Sequence, residues 1–345
     1  MSEPKEVRAD IIIAGGGLVG LASALGLVRA GLKVAIVDAQ VVDDTLLPEF
    51  DGRASAISKT SKNMFKSLGV WQELEQHAQP ITNITVTDSE LSDAVRPAFL
   101  HFDQRDDAQF PAAYMVENRY IRQALLGRIK EAANITFFAP HKVVNMTVGL
   151  HLAKVTLDDN RVLSAPLVIA ADGRNSFLRR HAGLKTVGWE YNQHGIVATI
   201  EHQHPGVAEE HFLPVGPFAI LPLRQPCRSS LVWTERRDIA TGLMNAGDDR
   251  FDSELKRRFG DHLGSIKRIG PRWSYPLSLQ LAVDYIAPRL MLVGDAAHVV
   301  HPLAGLGLNL GLRDAAALID VVADALHLGL DFGTVGVGEN YQAWR

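Results

Sequence analysis

The sequence predicts an α/β chain, a nucleotide-binding domain with an antiparallel β-sheet domain inserted into it. Three observations carry this expectation. A short β-branched run, Ala9 to Ala14, feeds a glycine-rich turn and then an amphipathic stretch. Two further apolar runs, Leu167 to Ala171 and Leu290 to Val293, each end in an adjacent Asp and Gly. Between about 186 and 275 the hydrophobic pattern switches to period two, the signature of antiparallel sheet.

Taken in order, Ala9 to Ala14 suits a buried parallel strand. Gly15, Gly16 and Gly17 follow, and Leu21, Leu25 and Val28 then recur on one helical face. Gly31 stands where a left-handed helix cap is expected. Val34 to Val37 forms a second strand ending in Asp38, which completes a right-handed βαβ unit. Asp51 to Leu68 reads as a loop and then a helix, and Asn118 to Ala132 as another helix. Leu308, Leu312, Ile319, Val322 and Leu326 describe one long amphipathic helix. In the inserted region Ile196, Ala198 and Ile200 alternate with Val197, Thr199 and Glu201, and Leu231 and Trp233 with Ser230, Val232 and Thr234. Half-buried sheet, broken by Pro214, Pro217 and Pro222, is the expectation. The nucleotide-binding domain then spans 1–80, 110–185 and 275–345, and the β-sheet domain 81–109 and 186–274.

Composition limits the function. Of 345 residues 47% are hydrophobic and 21% charged, and the net charge of −4 gives no reason to expect nucleic acid. Cys227 is the single cysteine, so an intramolecular disulfide is excluded and a reducing compartment is expected. A buried, inert thiol is expected there. The uncharged run Ile11 to Val28 has the hydropathy of a signal peptide or a short span. Asp10 before it, five glycines within it and a strand after it favour a soluble nucleotide-binding unit instead.

Three motifs carry chemistry. In Gly15-x-Gly17-x-x-Gly20 the first glycine permits a tight turn, the second lets the backbone approach a pyrophosphate, and the third packs helix on strand. Phosphates then sit at the positive helix end, and the Asp38 carboxylate is placed for an adenosine ribose. The second motif, Asp172-Gly173-Arg174-Asn175-Ser176-Phe177-Leu178-Arg179, fits either bound phosphates and sugars or a helix capped by Asp172 or Ser176. The third runs Gly294-Asp295-Ala296-Ala297-His298 and continues through Pro302 to Gly305-Leu306-Gly307-Leu308-Asn309. An acid there suits a polyhydroxyl chain, and the glycine-rich helix start suits a ring that becomes anionic on reduction. His298 and His301 lack the companion ligands of a metal site, so no metal is expected.

In this order and spacing the motifs resemble the flavoprotein aromatic hydroxylases, which take FAD and NAD(P)H without a separate nicotinamide domain. Asp51-Gly52-Arg53-Ala54-Ser55-Ala56-Ile57, Tyr275-Pro276-Leu277 and His301-Pro302-Leu303-Ala304-Gly305 narrow the resemblance to the ubiquinone-biosynthesis hydroxylases. The resemblance implies a Rossmann-like FAD-binding domain with an inserted antiparallel β-sheet substrate domain. It implies non-covalent FAD, NAD(P)H as co-substrate, and a polyprenylated phenol and O2 as substrates. Gly15, Gly17 and Gly20 would line the pyrophosphate, and Asp38 would hold the ribose. Arg53 and Asn118 would contact FAD, Asp172 would serve FAD and NAD(P)H, and Asp295 would hold the ribityl or phosphate part. Gly307, Leu308 and Asn309 would face the flavin pyrimidine. The cofactor carries the hard chemistry, so no protein acid or base is named.

Two departures stand out. Position 306 is Leu where the close family usually has Gln, which is harmless if only the backbone serves there. The chain also ends at Arg345, short of the usual family length, leaving out a segment expected to aid membrane or partner docking. A cytoplasmic protein is expected, with peripheral attachment to the inner membrane or to a biosynthetic complex left open. Phe212, Leu213, Phe218, Ile220 and Leu221 are either the lining of a prenyl channel or, more simply, core. Competing readings are a hydroxylase of another small aromatic and a non-catalytic FAD-holding scaffold. A two-dinucleotide disulfide reductase lacks support, having neither a second GxGxxG nor a CxxC pair here.

Overall fold

The structure is a computed structural model that describes residues 6–41, 52–91, 93, 96–103, 111–203, 208–260 and 263–345. Asp51, which opens one of the motifs above, lies outside these residues.

The organising element is a six-stranded sheet in the order 286–287, 290–292, 167–170, 11–14, 34–37, 135–138. All neighbours in it are parallel except Ile286–Ala287 against Leu290–Leu292. Every residue of Ile11–Ala14, Val34–Val37 and Leu167–Ala170 is buried. That is why these strands read as unbroken apolar runs rather than as alternation. Ile11, Ile13, Val34 and Ile36 pack on Leu21, Leu25, Leu312, Leu318 and Val322 of the two long helices, Leu18–Arg29 and Leu306–His327. Ile12, Ala14, Ala35 and Val37 face the other way, onto Met146, Val155, Leu157 and Leu163. Those side chains come from a separate small sheet built of Val7–Arg8, Val143–Val148, Ala153–Leu157 and Val162–Ala165.

The run Ile11 to Val28 is therefore strand, turn and helix. Its helix ends at Arg29 with Gly31 at φ +94°, the left-handed position expected of it. Among the described residues no helix is long and apolar enough to cross a membrane.

The β-rich region forms an eight-stranded sheet that also takes in Asn83–Asp88 and Ala98–Asp103. Its longest strands, Thr186–Glu201 and Lys267–Ala282, pair antiparallel along most of their length. The second of them runs across the expected boundary at 275.

Three expectations need correction. The segment before the helix Lys59–Ser67 is not a loop, because Ala54–Ser58 is a strand paired antiparallel with Ala113–Glu117. Ala-Ser-Ala-Ile-Ser has weak strand propensity, and its partner supplies the order. The inserted sheet is not half-buried either. Ile196, Val197, Ala198, Thr199 and Ile200 are all buried. Ile196, Ile200, Leu231 and Trp233 pack under the helices Arg237–Asn245 and Asp248–Phe259, while Ala208, Ala219 and Val232 line an internal cavity. Pro217 and Pro222 sit near the two ends of strand Gly216–Pro222 instead of interrupting it. Finally, Cys227 is only half-buried, in a turn with φ +60°.

Trp233 is 1% exposed and its ring lies under the Arg258 guanidinium, 4.4 Å away. Trp233→Ala is expected to cost about 3–5 kcal/mol. A urea titration of the variant against the parent chain reads this directly.

Candidate functional site

The glycine turn shows three separate steric demands. Gly15 has φ +111°, and a Cβ there would lie 2.1 Å from the Ala171 carbonyl oxygen. A Cβ on Gly20 would lie 2.0 Å from the Gly15 carbonyl oxygen, so helix and strand touch through these two residues. Gly17 differs, because a Cβ there would meet no atom within 4 Å. It opens onto a cavity, at a helix start that no side chain caps. Unclaimed N–H groups and the positive end of the dipole converge on that space, which suits a pyrophosphate.

Asp38 braces the turn. Its carboxylate accepts hydrogen bonds from the backbone N–H groups of Gly16 at 2.5 Å and Gln40 at 2.7 Å. Arg122, which belongs to no motif, donates from Nη1 to the Gly16 carbonyl at 3.0 Å. It lines the same cavity as Gly17, Arg53, Asn118 and Asp295. The Asn118 side-chain oxygen accepts from Ser55 Oγ at 2.7 Å, and its N–H donates to the Arg53 carbonyl at 2.8 Å. The two expected FAD contacts are thus bonded to each other through the backbone.

The second motif is chiefly structural. Asp172 Oδ2 accepts from the N–H groups of Phe177 at 2.7 Å and Leu178 at 3.3 Å, and Ser176 Oγ accepts from Arg179 N at 3.0 Å. Both capping candidates, Asp172 and Ser176, therefore serve the helix Phe177–His181. Arg179 is buried and donates to the carbonyls of Ala296 at 2.7 Å and Arg174 at 2.8 Å, tying the second motif to the third.

In the third motif a fully buried carboxylate, Asp314, sets the geometry. Its Oδ2 accepts from Gly294 N at 2.8 Å and lies 2.6 Å from His298 Nε2, while Arg345 Nε lies 2.5 Å from Oδ1. Asp295 is thereby aimed at open cavity while protein crowds around it. Burial raises its carboxyl above the ordinary range, and His298 and Arg174 pull it partly back. The helix Leu306–His327 starts from Gly305 at φ +65° with no side chain capping it, and a Cβ on Gly307 would meet no atom within 4 Å. Leu306 is an exposed side chain. The Asn309 side chain does not face the cavity. It accepts from Ser58 N and Ser61 Oγ and donates to the carbonyls of Ala56 and Gly305, stapling strand Ala54–Ser58 to the helix.

Two cavities meet here. One, about 550 Å³, runs along Gly17, Gly20, Arg53, Asn118 and Gly173. The other, about 460 Å³, is roofed by the inserted sheet. Asp295, Gly307 and Leu308 line both. The elongated pair suits a long dinucleotide whose ring reaches the second chamber at Gly307. The open directions at Gly17 and Gly307, the uncapped helix starts and the Asp295 acid all fit FAD. Of the five residues proposed for a prenyl channel, Phe218 and Ile220 are core and Leu221 lines the second chamber. Among the described residues one group has metal-ligand spacing, the half-buried His141 with the exposed Asp158 and Asp159, a set engaged in ion pairs with one another and with Arg161.

Comparison with known proteins agrees with this geometry. Residues 8–328 match the FAD binding domain family. The chain belongs to that family, among the flavoprotein aromatic hydroxylases, and FAD is its cofactor. It is 45% identical to ubiquinone hydroxylase UbiL of Rhodospirillum rubrum, over 98% of this chain and 77% of that protein. It is 34% identical to 3-demethoxyubiquinol 3-hydroxylase of Escherichia coli, over 97% and 85%. Its fold matches p-nitrophenol 4-monooxygenase PnpA of Pseudomonas putida at a TM-score of 0.78 and 18% identity, over 98% and 84% of the two chains.

The glycines make a paired test. Gly20→Ala should lose about 1–3 kcal/mol of stability by overpacking. Gly17→Ala and Gly307→Val should melt like the parent when free of FAD, yet bind FAD at least about tenfold more weakly, about 1.4 kcal/mol. Thermal melting with FAD titration separates the two classes, and normal affinity in both of the latter would remove FAD from this cleft. Asp295→Ala should also fold normally while weakening FAD by roughly ten- to a hundredfold, the value of a charge-assisted hydrogen bond. Fluorescence titration with FAD checks it.

Proposed function

We propose that this chain hydroxylates the aromatic ring of a polyprenylated phenol in ubiquinone biosynthesis, consuming NAD(P)H and O2. The meeting of the two cavities at Asp295, Gly307 and Leu308 carries this reading, since it puts the reactive end of a bound dinucleotide in the wall of a second, apolar chamber. The names of the two relatives supply the pathway. In this reading 1–80, 110–185 and 275–345 hold FAD, and 81–109 with 186–274 hold the phenol. Bound FAD supplies the redox chemistry, taking a hydride and activating oxygen. The chain's own residues bind, orient and exclude water. Gly15, Gly17 and Gly20 admit the pyrophosphate, Asp38, Arg53, Asn118 and Asp295 hold the sugars and chain, and Gly307 and Leu308 offer backbone N–H groups to the ring. Asp172 and Asn309 act behind them as braces.

The second chamber also has an exit. Ile84, Val86 and Phe102 line it, and in register they stand beside Ala208 and Glu210 on one side and run to the edge strand Ala98–Asp103 on the other. Phe102 is half exposed and Phe99 is 79% exposed at that edge. An apolar lane opening on an apolar rim suits a prenyl tail drawn from a bilayer, so the cytoplasmic side of the inner membrane is the proposed location, with peripheral contact.

The test is direct. FAD-loaded protein, given NADH or NADPH and a prenylated phenol under 18O2, should yield a product carrying one labelled oxygen. Label in simple phenols alone would favour a hydroxylase of another small aromatic. Flavin that is never reduced would favour a scaffold. Phe102→Asp should raise KM for the prenylated phenol more than about tenfold while changing KM for an untailed phenol little, because an acid in the lane opposes burial of the chain worth about 0.8 kcal/mol per methylene. Steady-state kinetics with both phenols reads it.

A further inference from the structure

The phenol chamber contains a carboxylate that no described residue pairs with. On strand Ala208–Leu213 the side chains alternate between two environments. Glu209 also borders the chamber, but its carboxylate is taken by His211, Nε2 to Oε2 at 3.0 Å, with Thr87 Oγ1 2.8 Å from His211 Nδ1. Glu210 lies between these two on the strand. Its neighbours in register are Val86 and Ala219, and the same wall continues through Ala208, Leu221 and Val232. Its carboxylate has no hydrogen-bond or ion-pair partner among the described residues. An acid held in an apolar wall without a partner costs stability and calls for a functional account.

Resting on the phenol-hydroxylase reading above, we propose that Glu210 is a catalytic residue that accepts the hydroxyl proton of the bound phenol. The O–H bond breaks, its electron pair stays on the phenol oxygen, and the proton goes to a Glu210 oxygen. The resulting phenolate ring is more electron-rich at the positions ortho and para to that oxygen, where an electrophilic oxygen atom derived from O2 adds. The attacked carbon then loses its own proton to solvent, and Glu210 returns its proton to the original oxygen. The overall balance is phenol, O2, NAD(P)H and one proton giving dihydroxylated ring, water and NAD(P)+.

The other groups of the chamber do not compete for this role. Burial raises Tyr275, with Arg53 pulling it back, so it stays protonated and does not serve as the base. Arg174 and Asp295 also line the chamber, but Arg174 is a cation and Asp295, shared with the cleft, is engaged by FAD in the reading above. On the strands flanking Glu210 the facing residues, Val86 and Ala219, are uncharged, and Arg96 acts on Glu209 rather than on Glu210. Burial alone raises the Glu210 carboxyl above its ordinary value, which brings it nearer to a phenol and makes it a stronger base. The sign for activity follows. Glu210 must be ionised to accept a proton, so turnover is present above its raised pKa and is lost as pH falls through it.

Two measurements on FAD-loaded protein test the proposal separately from the overall reading. The first is calorimetric titration with a 2-prenylphenol and with its O-methyl ether. The parent should prefer the phenol by about tenfold, and Glu210→Ala should lose that preference. An equal preference in parent and variant, or none in the parent, overturns the proposal. The second is turnover of the phenol by Glu210→Gln. FAD affinity and substrate-free flavin reduction should match the parent, while hydroxylation at neutral pH should fall about a hundredfold, with electrons diverted to hydrogen peroxide. The variant's rate should then climb about tenfold per pH unit from pH 7 to 9, following ionisation of the phenol itself near pH 10, while the parent's stays level. A variant as active as the parent, or one with a level profile, overturns the role. Phenol preference without any turnover in the parent would overturn the hydroxylase reading and leave the Glu210 contact standing.

Discussion

Everything at the cofactor end of this protein depends on the buried carboxylate of Asp314. It sits on the long helix Leu306–His327 with no exposure, and one of its oxygens receives both the Gly294 N–H and His298. A charge so placed is tolerable only when its partners are in position, and loss of one partner from such a site typically costs about 3–5 kcal/mol. The consequence is geometric. The strand Leu290–Leu292 and the helix after it are locked in one relation, and Asp295 and Gly307 are presented to the same space from two different elements. Gly311 reinforces this, since a Cβ there would lie 2.6 Å from Val19 of the glycine-turn helix.

The second constraint is steric. Gly15 against Ala171 and Gly20 against Gly15 bring three chain segments closer than any side chain would permit. That contact places one helix start, and Asp314 places the other. Between the two lies a cleft long enough for a dinucleotide. The inserted sheet adds what the cleft lacks, a largely apolar roof in which Glu209 is paired with His211 and Glu210 is not. Because helices cover the sheet's far side, its near side is free to shape the chamber.

Much of this architecture was legible in the sequence. Unbroken apolar runs identified the parallel strands, since a strand covered on both faces has no polar side to show. Glycine spacing identified the turn, because steric demands on backbone are local and no other residue meets them. Asp295 could be singled out because it directly follows a buried strand. The strand Ala54–Ser58 escaped notice because its order comes from Ala113–Glu117, some sixty residues away. The full burial of Thr199 and Val197 escaped for a similar reason, since it depends on what packs against each face.

The sequence by itself determined the fold class, the glycine turn and the cofactor, because each rests on local backbone geometry or on motifs in a given order. Tertiary structure alone decided the division of labour among the polar side chains. Asn309 looks like a ligand contact in the sequence, yet its side chain is spent on a strand-to-helix staple, and Asp172 commits one of its two oxygens to a helix cap. Arg122, Asp314 and Glu210 carry no motif, and only packing reveals that the first braces the turn, the second aims Asp295, and the third lines the chamber without a partner among the described residues. The physical reason is that a polar side chain's role depends on which partners reach it, and those partners come from distant parts of the chain.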